Sequence, residues 1–81
     1  MKGLNMKDMM IHISMDDEAE MAYITLLPRW IGDGEIDRTL TCEGEGVNLD
    51  YDKNGKLIGI EILSTSVLHP EMLESFEPTT L

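Results

Sequence analysis

Apolar residues alternate with polar ones along much of this chain, and the alternation changes period only near the C-terminus. Ile11, Ile13 and Met15 flank His12 and Ser14, a period of two that predicts a first strand. Asp16-Asp17-Glu18 follows as an acidic turn. A second strand is predicted from Glu20 to Leu27, ended by Pro28, which has no amide hydrogen for a sheet ladder. Residues 29–35 read as a loop carrying Trp30 and two glycines, and a third strand spans Ile36 to Cys42. Glu43-Gly44-Glu45-Gly46 reads as a second acidic turn. Val47, Leu49 and Tyr51 then alternate, as do Ile58, Ile60 and Ile62, giving strands four and five, which end near Ser64. Beyond them Met72, Leu73 and Phe76, joined by Leu68, fall on one helical face. Pro70 suits the first helical position, Glu71 favours the helix dipole, and Pro78 stops the helix after about two turns. The expected fold is α+β: a small antiparallel sheet of four to five strands with one short C-terminal helix.

The segment joining strands four and five admits two readings. Asp50-Tyr51-Asp52-Lys53-Asn54-Gly55, followed by Glu61, satisfies every position of the calcium-loop signature. Asp50, Asp52, Asn54 and Glu61 would supply the side-chain oxygens, and Gly55 the sharp turn. That motif needs a helix on each side, whereas both flanks alternate. Asn54-Gly55 is also a strong hairpin signal. A two-residue turn there sets Tyr51 opposite Ile58, Leu49 opposite Ile60 and Val47 opposite Ile62, with all six on one face. The same register puts Glu61 opposite Asn48, roughly 13 Å from Asp52 along the sheet. The expectation is therefore a tight hairpin at Asn54-Gly55, with calcium binding through Asp50, Asp52, Asn54 and Glu61 as the alternative.

Composition narrows the function classes. The chain has 81 residues, one cysteine and a formal net charge of −10, from 16 acidic and 6 basic residues. One domain is expected, with residues 1–9 as a flexible leader and residues 10–81 as the domain. So small a domain is marginal alone and has no internal disulfide, which points to a homodimer. The charge opposes binding to nucleic-acid phosphates or to an anionic membrane, and fits a basic protein partner. Neither a signal-peptide core nor a membrane-length apolar run is present, and with a single Cys the expected compartment is the cytoplasm.

Residues 17–26, Asp-Glu-Ala-Glu-Met-Ala-Tyr-Ile-Thr-Leu, are similar to the opening of a bacterial and archaeal family, domain of unknown function 2283. Residues 47–63, which contain Asp50-Tyr51-Asp52, Gly55 and Gly59-Ile60-Glu61-Ile62-Leu63, resemble its closing signature. With the preceding strand, the resemblance covers about Ile11 to Ser66. The chain departs from the family pattern in having Glu20 in place of an Asp and Ala22 in place of a Leu. The resemblance implies a small antiparallel sheet with a helix and no established activity. The family has been suggested to resemble the antitoxin half of toxin–antitoxin pairs.

Individual residues add little chemistry. Asp16, Asp17, Glu18 and Glu20 lack the contrast between buried and exposed carboxylates that acid–base catalysis uses. His12, His69 and Cys42 match no structural zinc spacing, and Cys42 has no activating neighbour in sequence. No catalytic residue and no cofactor is expected. The doubly acidic Gly-rich turn at residues 43–46 would repel phosphate. Gly59 in a strand interior marks a bulge or a close backbone approach. It belongs to the face bearing Asn48, Asp50 and Glu61, which reads as solvent-facing or as an interaction surface. Trp30 reads either as an exposed partner anchor or as a lid on the sheet edge. The partner-binding candidates are thus Trp30, Asn48, Asp50 and Glu61. The functional expectation is a non-enzymatic interaction module for a basic partner. Its alternatives are the calcium reading and a ligand site formed at a dimer interface.

Overall fold

A computed structural model describes residues 7–76. Five antiparallel strands form one sheet: β1 (His12–Asp16), β2 (Met21–Thr25), β3 (Arg38–Cys42), β4 (Val47–Tyr51) and β5 (Leu57–Ile62). Their spatial order is β1-β2-β5-β4-β3, so β5 returns to the centre and β1 and β3 are the edges. A 3-10 turn at Thr65–Val67 and a short helix, α1 (Pro70–Ser75), complete the α+β fold. Of the expected leader, only residues 7–9 are described, and they have no regular structure. Pro78, the expected helix stop, lies outside the described residues. Pro70 occupies the first turn of α1, and the His69 ring nitrogen accepts from the Glu71 amide at 3.1 Å, capping the helix.

The register sorts side chains onto two faces. Across one face run the rows Ile13–Ile24–Ile60–Leu49–Leu40 and Met15–Ala22–Ile62–Val47–Cys42. Across the other run His12–Thr25–Gly59–Asp50–Thr39 and Ser14–Tyr23–Glu61–Asn48–Thr41. The buried apolar set is small: among the described residues it is Ala22, Ile58 and Ile62.

The hairpin keeps the expected pairs Leu49–Ile60 and Val47–Ile62, but its turn differs from the expected one. Gly55 N donates to Asp52 O at 3.0 Å, and Asp52 N donates to Lys56 O at 2.9 Å. The loop is therefore three residues, Lys53-Asn54-Gly55, with Gly55 in the left-handed region at φ 77°. That loop pairs Tyr51 with Leu57 rather than Ile58, and a bulge between Asp50 and Tyr51 restores the register beyond it. The Asp52 carboxylate fastens the loop by accepting from the Asn54 and Lys56 amides, both at 2.9 Å.

At the opposite end, residues 17–20 join β1 to β2 around the Asp16 carboxylate, which accepts from the Glu18 and Ala19 amides. Glu20 closes this turn at φ 54°, the one positive φ outside glycine among the described residues. A left-handed conformation costs an L-residue roughly 1–2 kcal/mol. Glycine adds back about 0.5–1 kcal/mol of unfolded-state entropy. Glu20→Gly is therefore expected to raise stability by about 0.5–1 kcal/mol, read as a higher urea midpoint at unchanged m. A lower midpoint would show that the turn is not strained.

Candidate functional site

The polar face is built around one carboxylate. Asp50, in the middle of β4, is only 6% exposed. One of its oxygens accepts from the Tyr23 hydroxyl at 2.6 Å, and the other from the Thr39 hydroxyl at 2.6 Å. Tyr23 belongs to β2 and Thr39 to β3, with β5 and β4 between them. Tyr23 reaches Asp50 by lying across β5 at Gly59, which pairs with Asp50 on one side and Thr25 on the other. A Cβ at Gly59 would overlap the Tyr23 hydroxyl and stand 2.6 Å from Cζ of the ring. Only glycine leaves room for this crossing. The expected close approach at Gly59 is thus present, and the bulge lies next to it.

The middle of this face is shielded from solvent, while its margins at His12, Ser14, Thr39 and Thr41 are exposed. Thr25 is 3% exposed beside the deeply buried Asp50, while Asn48 and Glu61 are half-buried. Asn48 donates from Nδ2 to Glu61 Oε1 at 2.8 Å, and its buried Oδ1 has no hydrogen-bond partner among the described residues. The cover comes in part from the long connection between β2 and β3. Residues 30–34 and Ile36 form a shallow cleft of about 390 Å³ over Ser14, Tyr23 and Thr25.

That connection is latched by its own ion pair. The Arg29 guanidinium grips both oxygens of Glu35, and Gly32 N donates to the same carboxylate at 2.6 Å. The Arg29 hydrogen bond, then that from Gly32, holds the Glu35 carboxyl down to about 2. Trp30 rests against the sheet edge and remains largely exposed. Its indole meets the His12 ring edge-on at 4.2 Å on edge strand β1, yet the residue stays 68% exposed.

Of the expected partner-binding residues, Asn48, Asp50 and Glu61 share one face, and Trp30 stands at its β1 margin. The four calcium candidates are not brought together. Asp50 is bound to Tyr23 and Thr39, Asp52 closes the turn, and Glu61 pairs with Asn48. Among the described residues, no three His, Cys, Asp or Glu side chains converge as a metal ligand set. Tyr23, Thr25 and Thr39 were not singled out from the sequence. Their signal was the parity of β2 and β3, which became readable only once β2 was known to pair with β5.

A five-stranded antiparallel sheet with a short helix and an internally braced polar face defines a small α+β class. The chain belongs to the family described as protein of unknown function (DUF2283), whose model matches residues 12–66, from the first residue of β1 into the 3-10 turn. No curated protein and no solved structure matches it. Among the described residues, no helix is long and apolar enough to cross a membrane.

Gly59→Ala adds overpacking of about 1–3 kcal/mol and breaks a hydrogen bond to a charged acceptor worth about 1.5–3 kcal/mol. The expected loss is at least about 2 kcal/mol, a drop in Tm of about 8 °C or more. In a Tyr23→Phe background the same substitution should cost less, and equal costs would place the clash elsewhere. The Tyr23 phenol is raised well above its usual value, first by burial, then by the bond to Asp50 and the charges of Asp50 and Glu61. Because its folded value is the higher one, this contribution is complete below the unfolded value near 10.0 and is lost as pH rises beyond it. Absorbance at 295 nm should therefore show one of the two tyrosines ionising only as the protein unfolds. Full ionisation of both in the folded state would mean that the bond to Asp50 is absent.

Proposed function

We propose that this protein is a non-enzymatic interaction module of the cytoplasm that holds a basic protein partner at one end of its sheet. The observation that carries this reading is where the charges lie. The turns at residues 17–20 and 43–46 stand at the same end, because Ala22, Ile62, Val47 and Cys42 form one row beside them. The 63–65 segment ties these turns together, with Thr65 N donating to Glu20 O and Leu63 N to Gly46 O, both at 2.8 Å. Asp16, Asp17, Glu18, Glu20, Glu43 and Glu45 are all exposed there, with no Lys or Arg among the residues of the two turns. At the other end the bases Arg29, Arg38, Lys53 and Lys56 are interspersed with Asp33, Glu35, Asp37 and Asp52, and α1 adds Glu71 and Glu74 beside the start of β1.

Among the described residues, the one ion pair is Arg29–Glu35, so the acidic end has no internal counter-charge. A basic surface docked there relieves like-charge repulsion and gains from steering at low ionic strength. The half-buried Asn48 and Glu61 and the exposed Trp30 lie elsewhere on the molecule and supply further contact. The brace occupies both oxygens of Asp50, which makes that residue a support for the surface rather than a contact. Neutralising a basic partner is also the form that the antitoxin role suggested for the family takes.

The test is affinity capture at low salt, followed by binding measurements with the purified partner. A basic partner is expected, with affinity falling as salt rises. The variant Asp17→Asn/Glu18→Gln/Glu43→Gln/Glu45→Gln should bind about tenfold more weakly or worse, at up to about 1 kcal/mol per exposed pair. A complex indifferent to salt and to these four substitutions would end this reading.

A further inference from the structure

We propose that strand β3 is a self-association edge, pairing antiparallel with β3 of a second copy about a twofold axis through Leu40. The proposal stands apart from the basic-partner reading and rests on a comparison of the two sheet edges. Edge strands present unpaired backbone groups, and monomeric proteins blunt them with charge, proline, bulges or a cover. The β1 edge is partly covered at its start. Trp30 leans on His12, and Met72, Ser75 and Phe76 border a cleft with Ile11, His12 and Ile13. The β3 edge has none of these devices along its middle. Arg38-Thr39-Leu40-Thr41-Cys42 contains no proline and has no charge after Arg38. Its register with β4 is regular, without a bulge, and its first four residues are exposed.

The sequence of this edge matches itself. Thr39-Leu40-Thr41 reads the same in both directions, so a twofold axis at Leu40 sets Leu40 against Leu40 and Thr39 against Thr41 twice. Thr–Thr and apolar cross-strand pairs are favourable. Leu40 is 48% exposed at the end of the row Ile13–Ile24–Ile60–Leu49–Leu40, and its twin would continue that row across the axis. Of the two possible orientations, charge favours the antiparallel one. It sets the acidic end of each copy beside the mixed-charge end of the other and brings Arg38 within one residue of Glu43 of the second copy. Asp37 falls opposite that same Glu43, beyond the strand ends, with Arg38 next to both. A five-residue strand pair is small among specific interfaces, below about 1,200 Å², so the dimer forms at high protein concentration.

The full chain, sedimented over a concentration series, is expected to approach twice its 9.1 kDa mass. Leu40→Lys, a charge on the edge, should return it to the monomer mass with an unchanged far-UV spectrum. In a Cys42→Ser background, Leu40→Cys should oxidise to a covalent dimer. The symmetric residues would lie about 4.5–5.5 Å apart at Cα, within disulfide range. Ser14→Cys on the β1 edge, in the same background, should stay monomeric. A monomer at every concentration, a dimer unaffected by Leu40→Lys, or equal cross-linking at Ser14→Cys would overturn the proposal.

Discussion

The Tyr23–Asp50 contact over Gly59 is the constraint on which the rest of the sheet depends. A carboxylate taken out of water costs several kcal/mol unless its oxygens are satisfied. Asp50 satisfies them from both sides, with Tyr23 on β2 and Thr39 on β3, so one side chain spans four adjacent strands. The buried apolar set among the described residues is three side chains and could not fix the register alone. A one-residue slip of β4 would turn Asp50 onto the apolar face and carry Leu49 toward Tyr23 and Thr39. The polar brace thus acts where the hydrophobic core is thin. It also explains why Asp50 and Gly59, nine residues apart in sequence, act as one unit: they are cross-strand partners, and the ring of Tyr23 needs both.

What could be read from the sequence followed from parity. Alternation is a property of each strand alone, so the strands, the sides of the hairpin and the Asn48–Glu61 pairing were accessible before any tertiary information. The turn was not. A two-residue turn and a three-residue turn followed by a bulge give the same register beyond the bulge. The two irregularities cancel, and the apolar pattern cannot separate them. The polarity of the face misled for a related reason. Polar residues on a strand normally mark solvent, but here Thr25 and Asp50 at the middle of the face are buried, and Asn48 and Glu61 beside them are half-buried. Tyr23 and Asp50 are separated by 27 positions and meet only because β5 inserts between β2 and β4. No local signal encodes that insertion.

Charge shows the same division. The total of −10 is a sum over the sequence, but its segregation depends on which turns share an end. The β1–β2 and β3–β4 turns come together only through the intervening β2–β5 and β5–β4 pairings. The four described bases named above fall at the other end because the β4–β5 turn and the β2–β3 connection must lie there once the order is set. Topology thus brings two acidic turns that are far apart in sequence to one end of the molecule.

That polarity bears on how the two proposed surfaces coexist. The brace holds both oxygens of the buried Asp50, and the two proposed recognition surfaces, the acidic end and the β3 edge, lie at the molecule's margins. The edge runs along the strands and the acidic end lies across them, so occupying one does not bury the whole of the other. An antiparallel twofold pairing through β3 directs the two acidic ends to opposite poles. Each copy then keeps an acidic end facing away from its twin, with only the Glu43 side of the 43–46 turn drawn toward the axis. Parallel pairing would instead stack two acidic ends and concentrate twelve exposed carboxylates, counted from the six named per copy. The self-repulsion that accompanies a large net charge therefore selects the antiparallel arrangement, the same arrangement that the Thr-Leu-Thr symmetry of the edge selects through its side-chain pairs.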